Sequence, residues 1–130
     1  MANRIILGEL DIAPLLKAQK VFSEALAEAE TPLEKTGTIK RFELCYELAW
    51  KTMRRILLKQ GLEANNPRDV FRLAAANHLI NDPHEWFEAI RRRNESTHAY
   101  NEEIVVDLFD SLSHDKGYLD AFIVTIGQLK

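Results

Sequence analysis

The sequence predicts an all-α protein, an antiparallel up-and-down helical bundle that is four-helix-bundle-like with one additional short helix. Three observations carry this. Apolar residues recur at alternating spacings of three and four along most of the chain, the signature of one buried helical face. No segment alternates with the period of two that a half-buried strand needs. Glycine and proline together number only nine in 130 residues, too few for a turn-rich β fold. That length suits a single domain over residues 1–130.

Residues 1–10 form a lead-in of undefined order. Asp11 is a candidate N-cap with Pro14 in the first turn. Ile12, Leu15, Gln19, Phe22, Leu26 and Ala29 then trace one face, so the first helix is expected over roughly 11–30. Thr31-Pro32 is a cap-plus-proline start signal, and Gly37 is a weak point ahead of the strongest periodic run. That run is Ile39, Phe42, Tyr46, Ala49, Met53, Ile56 and Gln60, giving a second helix over about 38–60 with Gly61 as its terminator. Asn66-Pro67 opens a short helix at about 67–77 that turns Val70, Phe71 and Ala74 to the core. Asn81-Asp82-Pro83 breaks it. Asp82 and Glu85 resemble a capping box for a fourth helix with Trp86, Phe87 and Ile90 on its apolar face. Asn101 caps a last helix in which Ile104, Leu108, Leu112, Asp115, Leu119, Phe122, Ile126 and Leu129 hold one register past Gly117. A single long helix with a soft spot at Gly117 is therefore expected. Leu57, Leu58, Val105, Val106, Phe109, Ile123 and Val124 lie off the main seams. They widen the internal core or supply a face for self-association.

Composition narrows the functional classes. With 46% apolar and 28% charged residues the chain is a globular protein rather than a disordered one. A formal charge of −3 gives no global attraction to nucleic acid, so any such contact must come from a local patch. The lone cysteine, Cys45, excludes an internal disulfide, fits a reducing compartment, and sits in an apolar stripe as a buried, inert thiol. No apolar run approaches a membrane span and no signal-peptide pattern opens the chain, so a cytosolic location is expected. His78, His84 and His114 show no metal-ligand spacing with Cys45 or with one another, and no structural metal is expected.

Chemistry is concentrated in Arg91-Arg92-Arg93-Asn94-Glu95-Ser96-Thr97-His98-Ala99-Tyr100-Asn101. A helical run that turns this polar is poor core material. Arginine offers phosphate a planar, permanently charged, bidentate donor, and histidine moves a proton near neutral pH. The plainer alternative is a solvated helix end whose arginines interact with the C-terminal dipole. On the second helix, Glu43 and Glu47 share a face and are candidates to fix Arg93 or His98; for Glu47, a surface pair with Lys51 is the preferred reading. Trp50 is read as packing beside the apolar seam rather than stacking on a base. Lys51, Arg54, Arg55 and Lys59 make a basic side of the same helix, either solvated or a guide for RNA or an acidic partner.

Arg93-Asn94-Glu95-Ser96-Thr97-His98 resembles the Arg, four-to-six residues, His signature of the HEPN (higher eukaryotes and prokaryotes nucleotide-binding) superfamily. With Tyr100 two residues past the histidine, it looks like the HEPN toxins encoded beside minimal nucleotidyltransferases. Arg41-Phe42-Glu43-Leu44-Cys45-Tyr46-Glu47-Leu48-Ala49-Trp50-Lys51-Thr52 resembles the hallmark segment of the nucleotidyltransferase substrate-binding protein family. Pro67-Arg68-Asp69-Val70, Leu79-Ile80 and Glu85-Trp86 fit its middle section, and the likeness covers roughly residues 10–128. The chain departs from the family pattern near Cys45, where Thr or Ser is expected, and at Glu95, an acid within the anion-handling segment.

The resemblance implies a helical bundle that forms a homodimer and works with a cognate minimal nucleotidyltransferase as antitoxin. It implies a metal-independent endoribonuclease that needs no cofactor and takes RNA, transfer RNA included, as substrate. Arg93 and His98 would be catalytic, and Tyr100 would accept AMP from the partner. Asn94 is expected to help orient the backbone or the substrate, with Glu43 and Glu47 in support. One protomer carries one arginine and one histidine of the motif, so the site is expected at a dimer interface. The alternative is a non-catalytic substrate-binding or regulatory subunit of a two-component nucleotidyltransferase. The chain is not itself the transferase, because paired carboxylates after a Gly-Ser and glycine-rich phosphate loops are absent.

Overall fold

The computed structural model describes residues 4–97 and 101–129. Five helices follow a small hairpin: α1 Ala13–Glu28, α2 Pro32–Lys59, α3 Pro67–Ala76, α4 Pro83–Ser96 and α5 Glu102–Gly127. This is the all-α bundle expected, with α3 as the short extra helix. The 28-residue α2 is the axis on which the rest assembles, packing most extensively on α1 and α5 and also on α3 and α4.

Three expectations change. The lead-in is not irregular: β1 (Ile5–Ile6) and β2 (Leu10–Asp11) pair antiparallel, with Ile6 opposite Leu10. Leu7 and Gly8 turn the chain with φ of 51° and 80°, the left-handed pair of a type I′ turn. Strands of two residues are too short to show an alternating pattern, so the sequence hides them. Ile6 is fully buried, and Glu9 pairs with Lys59, tying the hairpin to the far end of α2.

The second change is the start of α2, six residues earlier than the periodicity indicates. Thr31 and Glu34 form a complete capping box. The Thr31 hydroxyl accepts from Glu34 N at 3.1 Å, and the Glu34 carboxylate accepts from Thr31 N at 2.9 Å and Glu30 N at 3.2 Å. Satisfying these otherwise unpaired donors starts the helix at Pro32, and Gly37 is carried through it. At the other end Gly61 takes φ 80°. There Gly61 N reaches Leu58 O at 3.0 Å and Leu62 N reaches Leu57 O at 2.9 Å, the paired closing bonds of a Schellman motif. α1 also starts later than expected: Ile12 occupies the cap position, while the Asp11 carboxylate accepts from Ala13 N at 2.9 Å. α5 is unbroken across Gly117, and Asn101 caps it by accepting from Ile104 N at 3.0 Å.

An aromatic chain runs through the core from α1 to α5. Ring centroids are 6.0 Å apart for Phe22 and Phe42, 6.3 Å for Phe42 and Tyr46, and 6.2 Å for Tyr46 and Phe71. Phe71 lies 5.2 Å from Trp86, which lies 4.9 Å from Tyr118 and 5.8 Å from Phe122. Of the apolar residues off the seams, Leu57 and Val105 are buried in this core, while Leu58, Val106 and Val124 are exposed. The first two therefore widen the internal core instead of supplying a separate face. Cys45 is fully buried, and burial pushes its thiol up to about 12. Trp50 is half-buried against the core. Among the described residues, no helix is long and apolar enough to cross a membrane.

Candidate functional site

Consecutive helical residues point about 100° apart, so three successive arginines cannot share a surface. At the end of α4 this geometry gives Arg91, Arg92 and Arg93 three separate fates. Arg91 faces solvent and pairs with Glu88 at 2.6 Å and Glu95 at 3.4 Å. Glu95, the acid foreign to the family pattern, is thus held by a neighbour on its own helix. The Arg91 hydrogen bond and charge hold the Glu88 carboxyl below its ordinary range.

Arg92 turns inward toward α5 and is only 10% exposed. Its Nε donates to Asp115 Oδ2 at 2.7 Å and its terminal nitrogen to Oδ1 at 2.6 Å, a two-pronged clamp on a carboxylate with no exposure at all. The Tyr118 hydroxyl donates to the same carboxylate. Burial opposes charge on Arg92, but the hydrogen bonds and charge of Asp115 outweigh it and raise the guanidinium further. Burial, with the neighbouring Asp115 charge, pushes the Tyr118 phenol well above its usual range. Tyr118 did not stand out in the sequence, and Arg92 did so only as one of three adjacent arginines, although a signal for the buried pair existed. An aspartate in the apolar register of α5 requires a buried cation somewhere.

Arg93 points the third way, toward α2. Its Nε lies 3.6 Å from Glu47 Oε1, and the side chain remains 39% exposed. Glu47 also accepts from Trp50 Nε1 at 3.1 Å and lies 3.7 Å from Lys51, so the preferred surface pair coexists with the contact to Arg93. One turn earlier on α2, Glu43 is hydrogen-bonded by the Ser96 hydroxyl and lies 3.5 Å from Lys40. That hydroxyl also lies 2.7 Å from Arg93 O, so one proton serves two acceptors. Asn94 is exposed; its carbonyl accepts from the Thr97 hydroxyl at 2.8 Å. The last turn of α4 is therefore pinned on two sides, by Asp115 from α5 and by Glu43 and Glu47 from α2. His98 and Tyr100 follow this turn in sequence and lie outside the described residues.

Between the last turns of α4 and the first turns of α5 lies a cleft of about 460 Å³, lined by Ile104 and Leu108 together with Arg91, Glu95, Asp107 and Ser111. Arg92 also lines it, but both of its arginines are paired with carboxylates and Glu95 and Asp107 face it, so the cleft carries no free positive charge, and Arg93 lies outside it. Elsewhere on α5, His114 lies 3.7 Å from Glu85. Among the described residues no group of three or more His, Cys, Asp or Glu is arranged to hold a metal ion.

Comparison with known proteins agrees with this architecture. A family model described as nucleotidyltransferase substrate binding protein like matches residues 10–130. A Haemophilus influenzae protein named "Probable ribonuclease HepT" is 32% identical over 72 residues, covering 52% of this chain and 49% of that protein. The match thus spans about half the length of that curated relative. A crystal structure of a Thermus thermophilus protein superposes with a TM-score of 0.78 at 29% identity, covering 88% of this chain and 98% of the other. A Haemophilus influenzae structure, described as revealing the fold of a substrate binding domain of a nucleotidyltransferase, gives 0.79 at 20% identity, with 88% and 97% covered. That last likeness bears on the fold alone. With the family model spanning nearly the whole chain, this protein belongs to the nucleotidyltransferase substrate-binding protein family of HEPN type.

Proposed function

We propose that the chain is a metal-independent HEPN endoribonuclease, the toxin of a pair whose antitoxin is a minimal nucleotidyltransferase. The observation that carries the reading is Arg93: a part-exposed guanidinium, set by Glu47 at 3.6 Å, on the turn that leads directly to His98. The likeness to a relative named as a probable ribonuclease supports it.

Cleavage through the ribose 2′-hydroxyl needs a base for that proton, an acid for the departing 5′-oxygen, and a neighbouring positive charge to stabilise the anionic pentavalent phosphorane. The 2′-oxygen forms a bond to phosphorus as the 5′-oxygen leaves with a proton, giving a cyclic phosphate and a free 5′-hydroxyl. His98 is the proton-transfer residue and Arg93 the phosphate clamp. Asn94 orients the backbone or the substrate; Glu43, through Ser96, and Glu47 hold the α4 turn. A single protomer has one imidazole in the motif, whereas a two-fold dimer brings two, one for each proton transfer. A strictly monomeric protein that cleaves at full rate would overturn the shared site.

Incubation with RNA in EDTA is expected to yield cyclic-phosphate ends. Arg93→Ala and His98→Ala are each expected to lower the rate at least about 100-fold, the usual contribution of a charge that stabilises the transition state and of a positioned acid–base group respectively. Wild-type rates in both variants would refute the assignment. Tyr100 is the AMP acceptor: co-expression with the nucleotidyltransferase adds one AMP, and Tyr100→Phe abolishes it. The added phosphate brings negative charge and bulk two residues past His98 in the chain, which opposes RNA binding.

The family description favours one other reading, a non-catalytic substrate-binding or regulatory subunit of a two-component nucleotidyltransferase. It predicts no RNA cleavage, tight binding to the transferase, and transfer activity only in the complex.

A further inference from the structure

A run of like charge on α2 marks out a second surface. Around the end of α4 and along α5 nearly every basic side chain has a carboxylate: Arg91 has Glu88, Arg92 has Asp115, Arg93 has Glu47 and Lys116 has Asp120. Arg54 and Arg55 on α2 differ. Both are exposed and, like the exposed Lys17, Lys20 and Arg41, pair with no carboxylate among the described residues; what sets them apart is that they adjoin each other on a stretch of α2 without acids. From Leu48 to Leu62 the chain holds four cations, Lys51, Arg54, Arg55 and Lys59, and no acid. Lys51 pairs with Glu47 and Lys59 with Glu9, so in a protein of net charge −3 the unpaired positive charge of this run is carried by Arg54 and Arg55.

Its position follows from helix geometry. Positions 47, 51 and 54/55 advance one turn at a time along one edge of α2, roughly 5.4 Å per turn, with Arg54 and Arg55 flanking the line of Lys51. The edge begins at the site, because Glu47 lies 3.6 Å from Arg93 and 3.7 Å from Lys51. Lys51 is 60% exposed.

We propose that this edge of α2, formed by Lys51, Arg54 and Arg55, is a track for the phosphate backbone of single-stranded RNA running to Arg93. The proposal rests on the ribonuclease reading for what happens at the end of the track. A single file of charges on a convex helix matches one flexible backbone, which brings one charge per nucleotide to successive turns. An acidic protein surface would need an apolar centre as well, and the exposed large apolar residue beside these arginines is Leu58 alone among the described residues.

The test measures binding without cleavage, using a mixed-sequence RNA of about 15 nucleotides with 2′-O-methyl riboses, by fluorescence anisotropy across a salt series. Each phosphate contact on a single strand contributes roughly 0.7 to the slope of log affinity against log salt. Arg54→Gln/Arg55→Gln is therefore expected to lower the slope by about 1.4 and weaken binding about 25-fold at 0.1 M salt. Lys17→Gln/Lys20→Gln, which removes two exposed charges from α1, is expected to bind like wild type. Circular dichroism on the same samples checks that both variants are folded. The track is overturned if the two double variants behave alike, if wild type does not bind the probe, or if a duplex of equal length binds as well as the single strand. It is overturned too if the arginine variant loses only its affinity for a polyglutamate probe. Wild-type binding accompanied by no cleavage of unmodified RNA leaves the track standing and sinks the ribonuclease reading instead.

Discussion

The clamp between Arg92 and Asp115 makes the sharpest energetic prediction. Arg92→Met removes the cation and strands a carboxylate that has no exposure, leaving only the Tyr118 hydroxyl to satisfy it. Breaking one side of a buried ion pair costs about 3–5 kcal/mol, because the surviving charge stays desolvated. A domain of this length gains roughly 2.1 cal/mol/K of unfolding entropy per residue, so about 4 kcal/mol corresponds to a fall of some 15 °C in Tm. Replacing both partners, Arg92→Met with Asp115→Leu, removes the stranded charge along with the pair. The double variant is expected to recover most of the loss, to within about 1 kcal/mol of wild type, as apolar replacements of buried pairs commonly do. Urea and thermal unfolding of wild type, Arg92→Met, Asp115→Leu and the double variant at one fixed concentration supply the cycle. If Arg92→Met unfolds within about 1 kcal/mol of wild type, the clamp does not hold α4 on α5 and the reasoning fails.

Three further outcomes follow from local features. The Glu34 carboxyl is held below its ordinary range by hydrogen bonds from Thr31 and Glu30. A lowered folded pKa means its contribution is present above the unfolded value and lost as pH falls through the folded one, so Glu34→Gln is expected to flatten the loss of stability below about pH 4.5 relative to wild type; identical acid profiles would contradict this. Cys45, with its thiol at about 12, is expected to resist iodoacetamide at pH 8 until the chain unfolds, as mass spectrometry would show. Gly61→Ala forces a β-carbon into φ 80° and is expected to cost about 1 kcal/mol in urea unfolding.

The helical bundle could be read from the chain because its causes are local. Apolar spacing, Thr31-Pro32, Asn66-Pro67, Asn101 and Gly61 each act within a turn or two of their own position, so element type and the α3 and α5 boundaries follow closely. The start of α2 has a local cause too: the Thr31 and Glu34 cap acts within one turn of Pro32, ahead of the apolar spacing that begins at Ile39. The hairpin was hidden because its strands are shorter than the pattern that would reveal them.

The candidate site divides along the same line. Arg93, His98 and Tyr100 were visible as a spacing, since a motif is a local object, and so was the shared face of Glu43 and Glu47. Which arginine does what was not visible. Three adjacent arginines read alike until α2 and α5 are packed around them, and only then does Arg92 meet Asp115, 23 residues away, while Ser96 meets Glu43 across 53. The amino-acid order by itself determines how many helices form and which face each one buries, because those depend on neighbours three and four positions apart. The tertiary structure alone decides that one of three identical cations is a buried strut, one a solvated pair and one a part-exposed guanidinium at the site. That assignment depends on the 100° step between residues and on the helices that happen to stand opposite each step.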